Sequence, residues 1–206
     1  MNKNEALLPP HGGYRQLRTF QLAQLTYDLT IYFCEQFVEK KSRTYDQMVQ
    51  AARSGVQNIA EGSQASGTSK KSELRLTNVA RASLEELKLD YEDFLRQKNL
   101  KKLKYDNPIL IRFKELKCAS FDQLIQWVCE ELKIQNEDDP LGLLPPPKIK
   151  RNDEFATLFA NAALSIINIT CYLLDNQLKK QAKDFEENGG FTERLYQKRR
   201  SIRDGF

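Results

Sequence analysis

The sequence has few of the residues that enzymes most often use for catalysis or metal binding, with one histidine and four cysteines among 206 residues. His11 lies in a terminal segment that we expect to be flexible, which disfavours a histidine-dependent triad. A di-iron bundle with helical Glu-x-x-His motifs is excluded. The motifs G-x-x-x-x-G-K, G-x-G-x-x-G and G-x-S-x-G are all absent. We therefore predict a protein that is not an enzyme and binds no cofactor or metal. A pocket of converging carboxylates is the one catalytic arrangement left open.

The cysteines are too far apart for a C-x-x-C pair, which excludes a zinc or thioredoxin-like site. Each falls on an apolar helical stretch, so we predict four reduced thiols in a cytoplasmic protein. Residues 1–11 lack the basic region and apolar run of a secretory signal. Residues 155–174 are long enough to cross a bilayer. Because they contain several polar residues, we favour a buried helix and expect no membrane partner: Asn161, Ser165, Asn168 and Thr170.

Glycine and proline are clustered in a few places, and the long stretches between them favour helices over a β-sandwich. Apolar residues at helical spacing predict long helices over about 14–40, 44–61, 69–97 and 153–187. Segment 108–132 fits one helix or two short helices broken near 118–120. Gly62 and Gly189–Gly190 are predicted to end helices, and Phe191 with Thr192 to begin a last one. The predicted class is all-α: an up-down four-helix bundle with an inserted helical segment and a short C-terminal helix.

We predict a single domain with four parts. Residues 1–13 form a flexible N-terminus, and residues 14–97 form the first three bundle helices. Residues 98–152 are an inserted segment that ends in a proline-rich linker, in which Pro145–Pro147 hold an extended conformation. Residues 153–206 form the fourth long helix and a basic C-terminal helix.

Two helices carry patterns that predict close packing. The apolar arc of the first helix is wider than one neighbour covers, so this helix either lies between two neighbours or also faces another subunit. In the second helix, Gly55 costs about 1 kcal/mol relative to alanine. We expect that cost to be offset by a close approach between two helix backbones.

The net charge is only +4, but the charges are segregated along the chain. Residues 40–81 contain eight basic and three acidic residues, and residues 99–118 contain six basic and two acidic residues. Residues 190–206 are also basic, whereas 119–139 and 153–188 are acidic. A protein with this modest net charge can therefore still have basic surface patches that attract a polyanion.

Two basic clusters are candidate phosphate-binding sites. Cations at the start of the third helix, beside its free backbone N–H groups, would attract a polyanion, although a solvated loop explains them as well. In the final helix Tyr196 precedes three arginines by one turn, and a solvated tail is the alternative there. The predicted nucleic-acid-binding residues are Arg43, Arg53, Lys70, Lys71, Arg75, Arg199, Arg200 and Arg203.

Several polar residues have a structural alternative. Hydrogen bonds between helices or subunits are the favoured interpretation for Arg53, Asn58 and Glu61, and also for Arg81 with Glu85. Glu92 and Arg96 form a possible i,i+4 ion pair. Asn161 and Asn168, on an apolar helix, are predicted to be buried groups that set helix register.

Two segments carry a resemblance to a known family. Residues 50–62 read QAARSGVQNIAEG, and residues 79–87 read VARASLEEL. Together they resemble the bacterial four-helix-bundle family that includes proteins encoded within intervening sequences of large-subunit ribosomal RNA. The family also includes the accessory variability determinant of diversity-generating retroelements. ANAAL at 160–164, YLLD at 172–175 and GGFTERLY at 189–196 resemble the C-terminal suffix of a longer branch.

The resemblance covers roughly residues 14–97 and 153–203 and implies an up-down bundle. In the retroelement branch it implies a ring-shaped homopentamer whose basic surface binds nucleic acid and a reverse transcriptase. We therefore expect a non-enzymatic, self-associating module that neutralises RNA or DNA phosphates, as an accessory to a reverse transcriptase. The alternative is a structural oligomer or protein–protein scaffold that does not bind nucleic acid.

Overall fold

The structure, a computed structural model, describes Leu8, residues 11–132 and residues 153–203. These residues form helices and contain no strand, which confirms the all-α class. A 3-10 turn at Tyr14–Gln16 precedes seven α-helices in the described part of the chain: α1 (Arg18–Phe37), α2 (Arg43–Ala65), α3 (Lys70–Gln97), α4 (Pro108–Leu116), α5 (Phe121–Glu131), α6 (Asp153–Asn188) and α7 (Phe191–Arg203). The predicted proline-rich linker and most of the predicted flexible N-terminus lie outside the described residues.

Several of the helices have a serine as the N-cap residue. The Ser69 hydroxyl accepts a hydrogen bond from the Ser72 backbone N–H at 3.1 Å and so caps the start of α3. Ser42 and Ser120 cap α2 and α5 in the same way. Between α4 and α5, Lys117 has a left-handed backbone with φ of 49°. The break near residues 118–120 is therefore confirmed, and segment 108–132 forms two helices.

Two predicted helix boundaries are wrong, and the start of the final helix is as predicted. The first helix begins at Arg18 rather than near residue 14, because the chain is extended at Leu17. Gly62 does not end α2, which continues to Ala65, because this glycine packs inside the α2–α3 contact. The final helix begins at Phe191, where the backbone N–H of Gly190 donates to the Glu193 carboxylate at 3.0 Å.

Four long helices account for most of the packing. α1 packs against α2 and α6, and α3 also packs against α2 and α6. Thr19, early in α1, donates a hydrogen bond to Gln177, late in α6, at 3.0 Å. Gln181, late in α6, donates to Glu73, early in α3, at 3.1 Å. All but one of the largest fully buried side chains come from these four helices, and the exception is Leu124 of α5: Leu29, Phe33, Met48, Ile59, Leu84, Leu87, Tyr91, Leu95, Leu124, Phe159, Ile167 and Leu174.

The wide apolar arc of α1 is covered within the chain. Besides α2 and α6, α1 contacts α5 and the 3-10 turn. None of the exposed large apolar residues in the described chain belongs to α1. The first sequence alternative therefore applies: α1 lies between neighbours, and its arc no longer indicates a second subunit.

Small residues bring α2 and α3 together. A Cβ atom added at Gly55 would lie 2.8 Å from Cδ2 of Leu84. One at Gly62 would lie 3.3 Å from Cβ of Leu76. The hydroxyls of Ser54 and Ser83 share a hydrogen bond of 2.9 Å across the same contact. The close approach predicted for Gly55 is confirmed, and these pairs show that α2 and α3 run in opposite directions.

The stretch that could cross a bilayer belongs to α6. Within residues 153–203, one stretch is long and apolar enough to do so by length and composition. Of its most apolar 18-residue window, 72% is buried inside the protein. That burial is what the core helix of a helical protein requires.

Candidate nucleic-acid interface

Lys70, at the start of α3, is held by two carboxylates. Its ammonium lies 3.1 Å from Glu73 and 3.0 Å from Asp184, and its side chain is 17% exposed. Burial acts to lower the pKa of Lys70, but the hydrogen bonds with Asp184 and Glu73 outweigh it and raise that pKa. Because Asp184 belongs to α6, Lys70 joins two helices and presents little of its charge to solvent.

The next two predicted cations have the opposite environment. Lys71 and Arg75 lie one turn apart on α3, and both are exposed. Neither forms an ion pair with any residue that the structure describes. Of the three basic residues predicted at the start of α3, these two can meet a polyanion without breaking an internal contact.

The two predicted arginines of α2 are exposed but do not join this cluster. Arg43 begins α2, whose 23 residues span about 34 Å at a rise of about 1.5 Å per residue. α3 begins just beyond the far end of α2, so Arg43 and Lys71 lie at opposite ends of the helix pair. Arg53 lies between them, about 15 Å from Arg43 along the axis. The eight predicted residues therefore do not form one continuous patch.

The three predicted arginines of α7 share one face. They line a recess of about 520 Å³, and the described residues around it all belong to α7: Thr192, Leu195, Tyr196, Arg199, Arg200 and Arg203. Tyr196 is 66% exposed. α7 follows directly after the end of α6, where Asp184 contacts Lys70. α7 therefore begins at the end of the α3–α6 pair where Lys71 and Arg75 lie.

Other polar residues fulfil the structural interpretation in part. The prediction is wrong for Asn58, which donates to the Ser54 carbonyl of its own helix at 2.8 Å, but two other residues do join separate elements. Arg81 pairs with Asp175 and so joins α3 to α6. Asn161 is buried, with 1% exposed, and hydrogen-bonds the backbone of Lys101 and Leu103. These contacts stabilise the packing of the helices.

Two further predictions about polar residues are wrong. Asn168 is exposed, because it lies on the side of α6 that α1 and α3 leave uncovered. Glu92 and Arg96 do not pair with each other. Glu92 accepts a hydrogen bond from Lys102 at 2.7 Å, and Arg96 binds Asp93 at 2.8 Å.

A basic groove contains residues that the sequence did not single out. It has a volume of about 860 Å³ and lies between residues 102–106, α4 and the middle of α6. Its walls include three lysines and two exposed tyrosines: Lys102, Lys104, Lys114, Tyr105 and Tyr172. The basic stretch at 98–104 was a signal for the lysines. Tyr172 is 67 residues beyond Tyr105, so only folding brings the two rings to one groove.

The described residues offer little for thiol or metal chemistry. Burial, followed by the charges of Asp90 and Glu35, raises the pKa of Cys34 to about 12. Burial and then Glu85 likewise raise the pKa of Cys171 to about 12. Such thiols are protonated at neutral pH and poorly nucleophilic. Within the described ranges, no group of three or more histidine, cysteine, aspartate or glutamate residues could hold a metal ion.

Comparison with protein-family models, with curated proteins and with solved structures finds no significant match to this chain. The resemblance to the bacterial four-helix-bundle family therefore stays a prediction. The candidate interface consists of arginines, lysines and tyrosines that the fold brings to the surface.

Proposed function

We propose that this chain is a non-enzymatic, self-associating helical module that binds nucleic acid by neutralising its phosphates. The binding surface combines the arginine face of α7 with Lys71 and Arg75 of α3, and we call it the basic end. A reverse transcriptase is the partner implied by the family resemblance. The alternative is a structural oligomer or scaffold that does not bind nucleic acid.

One observation carries the proposal: three arginines and one exposed tyrosine line a single recess on α7. Arginine forms paired hydrogen bonds with phosphate oxygens, and a tyrosine ring offers a base a surface for stacking. Lys71 and Arg75 lie at the end of the α3–α6 pair from which α7 starts, and they add positive charge to that end. A phosphate backbone is a ligand that matches this composition.

We also propose that α1, α2, α3 and α6 form an up-down four-helix bundle, with α4 and α5 as the inserted segment. Each of the four packs against two of the others, which closes a cycle of contacts. The contacting residues pair the start of one helix with the end of its neighbour, as with Glu73 and Gln181. Antiparallel neighbours of this kind are typical of the up-down topology.

Self-association, as a pentamer in the retroelement branch of the family, is the third part of the proposal. Its support is a pair of exposed apolar residues on α3 that lie outside the groove of α6, Val79 and Leu89. Size exclusion coupled to light scattering measures the mass directly. We expect a whole-number multiple of the chain mass of 23.9 kDa. A mass equal to one chain at all protein concentrations would overturn the proposal of self-association.

Fluorescence anisotropy with a labelled duplex, between 50 and 200 mM salt, tests the binding proposal. For wild type, the affinity should fall steeply with salt, since each phosphate contact releases a counterion. The triple variant Arg199→Ala, Arg200→Ala, Arg203→Ala should lower the slope of log affinity against log salt by about three. An unchanged slope, or no binding by wild type, would overturn the proposal and favour the scaffold alternative.

A matched control removes the same charge at the other end of α2. The triple variant Lys40→Ala, Lys41→Ala, Arg43→Ala should change the slope much less than the α7 variant does. The control also tests Arg43, which the sequence grouped with the other cations. Equal losses in the two variants would mean that binding follows net charge, and the basic end would then not be the interface.

A further inference from the structure

The groove between residues 102–106, α4 and α6 is held in place by specific hydrogen bonds. The Asn161 side chain accepts from the Leu103 backbone N–H at 2.7 Å and donates to the Lys101 carbonyl at 2.9 Å. The Lys114 ammonium donates to the Tyr105 carbonyl at 2.8 Å. The wall that carries Tyr105 is therefore attached to α6 on one side and to α4 on the other.

Two tyrosine rings are exposed in this groove. Tyr105 is 81% exposed and Tyr172 is 66% exposed, so most of each ring contacts solvent. Exposed aromatic rings bordering one groove are the surfaces on which unpaired bases stack in proteins that bind single strands. Both rings are available without displacing any part of the core.

Lysines give the groove its charge. Lys104 has no ion-pair partner among the described residues, and the hydrogen-bond acceptor of Lys114 is a neutral carbonyl. Neither lysine is therefore neutralised by a carboxylate. Lys102 is paired with Glu92 at 2.7 Å, and Asp106 is the one acidic residue on the groove wall. The local balance is positive and suits a phosphate group.

We propose that this groove binds an unpaired nucleotide of a single-stranded nucleic acid. The base stacks on Tyr105 or Tyr172, and the phosphate contacts Lys104 and Lys114. The volume of about 860 Å³ is within the range of pockets that take small organic ligands. Paired bases in a duplex have no free face, so a duplex cannot use the rings. The inference deepens the proposed nucleic-acid binding and rests on it.

Fluorescence anisotropy at fixed salt compares a labelled 12-nucleotide single strand with a duplex of the same sequence. The double variant Tyr105→Ala, Tyr172→Ala should weaken single-strand binding by about tenfold or more and leave duplex binding unchanged. The matched variant Tyr105→Phe, Tyr172→Phe keeps both rings and should bind as wild type does. Both positions are exposed, so circular dichroism should show the same helical content in all three proteins.

Adenosine monophosphate as a competitor distinguishes a single strand from a free nucleotide. It should compete only at concentrations far above those of the oligonucleotide, because it makes one set of contacts. Competition at equal concentration would overturn the single-strand assignment and indicate a free-nucleotide site. Equal weakening by the Phe and Ala variants would overturn stacking on the rings.

The outcomes also separate this inference from the proposed function. If the α7 triple variant lowers duplex binding while the Ala variant leaves single-strand binding unchanged, the groove inference is wrong and the basic end stands. If the Ala variant weakens single-strand binding while the α7 variant changes nothing, the basic end is wrong and the groove stands. If wild type binds neither nucleic acid, both are wrong.

Discussion

The ammonium of Lys70 lies 3.0 Å from the carboxylate of Asp184, and this pair joins the first turn of α3 to the end of α6. We expect Lys70→Met to lower the free energy of unfolding by about 1 kcal/mol, since both charges are near the surface. Lys70→Glu should cost about 2 kcal/mol, because repulsion from Glu73 and Asp184 replaces two attractions. Urea unfolding measures both changes.

The neighbouring Lys71 is the control for Lys70. Lys71→Glu should leave stability unchanged or raise it by a few tenths of a kcal/mol, because a negative charge in the first turn suits the helix dipole. The same substitution should weaken nucleic-acid binding. If Lys70→Glu and Lys71→Glu lower stability equally, the ion pairs of Lys70 do not hold α3 to α6.

Gly55 has no room for a side chain where α2 meets α3, because a Cβ atom added there would lie 2.8 Å from Cδ2 of Leu84. We expect Gly55→Ala to lower stability by up to about 2 kcal/mol, because overpacking against Leu84 outweighs the better helix propensity of alanine. In a Leu84→Ala background the clash is removed, and Gly55→Ala should then stabilise by about 1 kcal/mol. A double-mutant cycle by urea unfolding measures the reversal. The same sign in both backgrounds would contradict the packing argument.

Asn161 forms three hydrogen bonds, to the backbones of Lys101, Leu103 and Thr157, at 2.7 to 2.9 Å. Asn161→Ala should lower the free energy of unfolding by about 2 kcal/mol, because it removes three hydrogen bonds and leaves part-buried backbone groups without partners. The amide hydrogen of Leu103 should exchange much faster with deuterium. Asn168→Ala, seven residues further along α6 and exposed, should change neither measurement. Slow exchange of Leu103 in the Asn161 variant would show that another contact holds this segment.

Asp90 has its pKa raised to about 6 by burial and then by the charges of Glu86 and Asp93. A raised folded-state pKa favours the protonated form. The stability that this form contributes is full below the unfolded pKa of about 3.9 and is lost as pH rises through about 6. Asp90→Asn should therefore stabilise the protein at pH 7 by about 1 kcal/mol, after allowance for solvent screening of this half-buried group.

The pH dependence of the free energy of unfolding tests the predicted stabilisation by Asp90→Asn. The advantage of Asp90→Asn should shrink as pH falls from 7 to 4, because wild-type Asp90 then becomes protonated. Glu86→Gln removes one of the two repelling charges and should give part of the same effect at pH 7. An advantage that is constant with pH would mean that Asp90 does not titrate in this range.

The helices were readable from the sequence because the signals are local. Ser69 caps α3 as its side chain predicts, and the break between α4 and α5 follows turn residues within a few positions. The predicted helix end at Gly62 is wrong, because the sequence does not distinguish a glycine that ends a helix from a glycine that allows a second helix to pack closely. Only the distance from Gly62 to Leu76 distinguishes them.

The candidate site was less predictable than the helices. Lys70 and Lys71 are adjacent and identical in sequence, yet one faces Asp184 and the other faces solvent. Arg43 had the same sequence signal as Lys71, although α2 carries it to the opposite end. The sequence did not indicate that Tyr105 and Tyr172 share a groove, since nothing near Tyr105 in the chain points to Tyr172.

The sequence by itself determined that this protein is helical, where most helices begin and end, and which segments carry positive charge. Those properties depend on side-chain periodicity, capping and composition within one or two helical turns. The tertiary structure alone decided which cations are neutralised and which rings share a groove. Such pairings join residues up to more than a hundred positions apart, as Lys70 and Asp184 are, and their energy exists only once the helices pack.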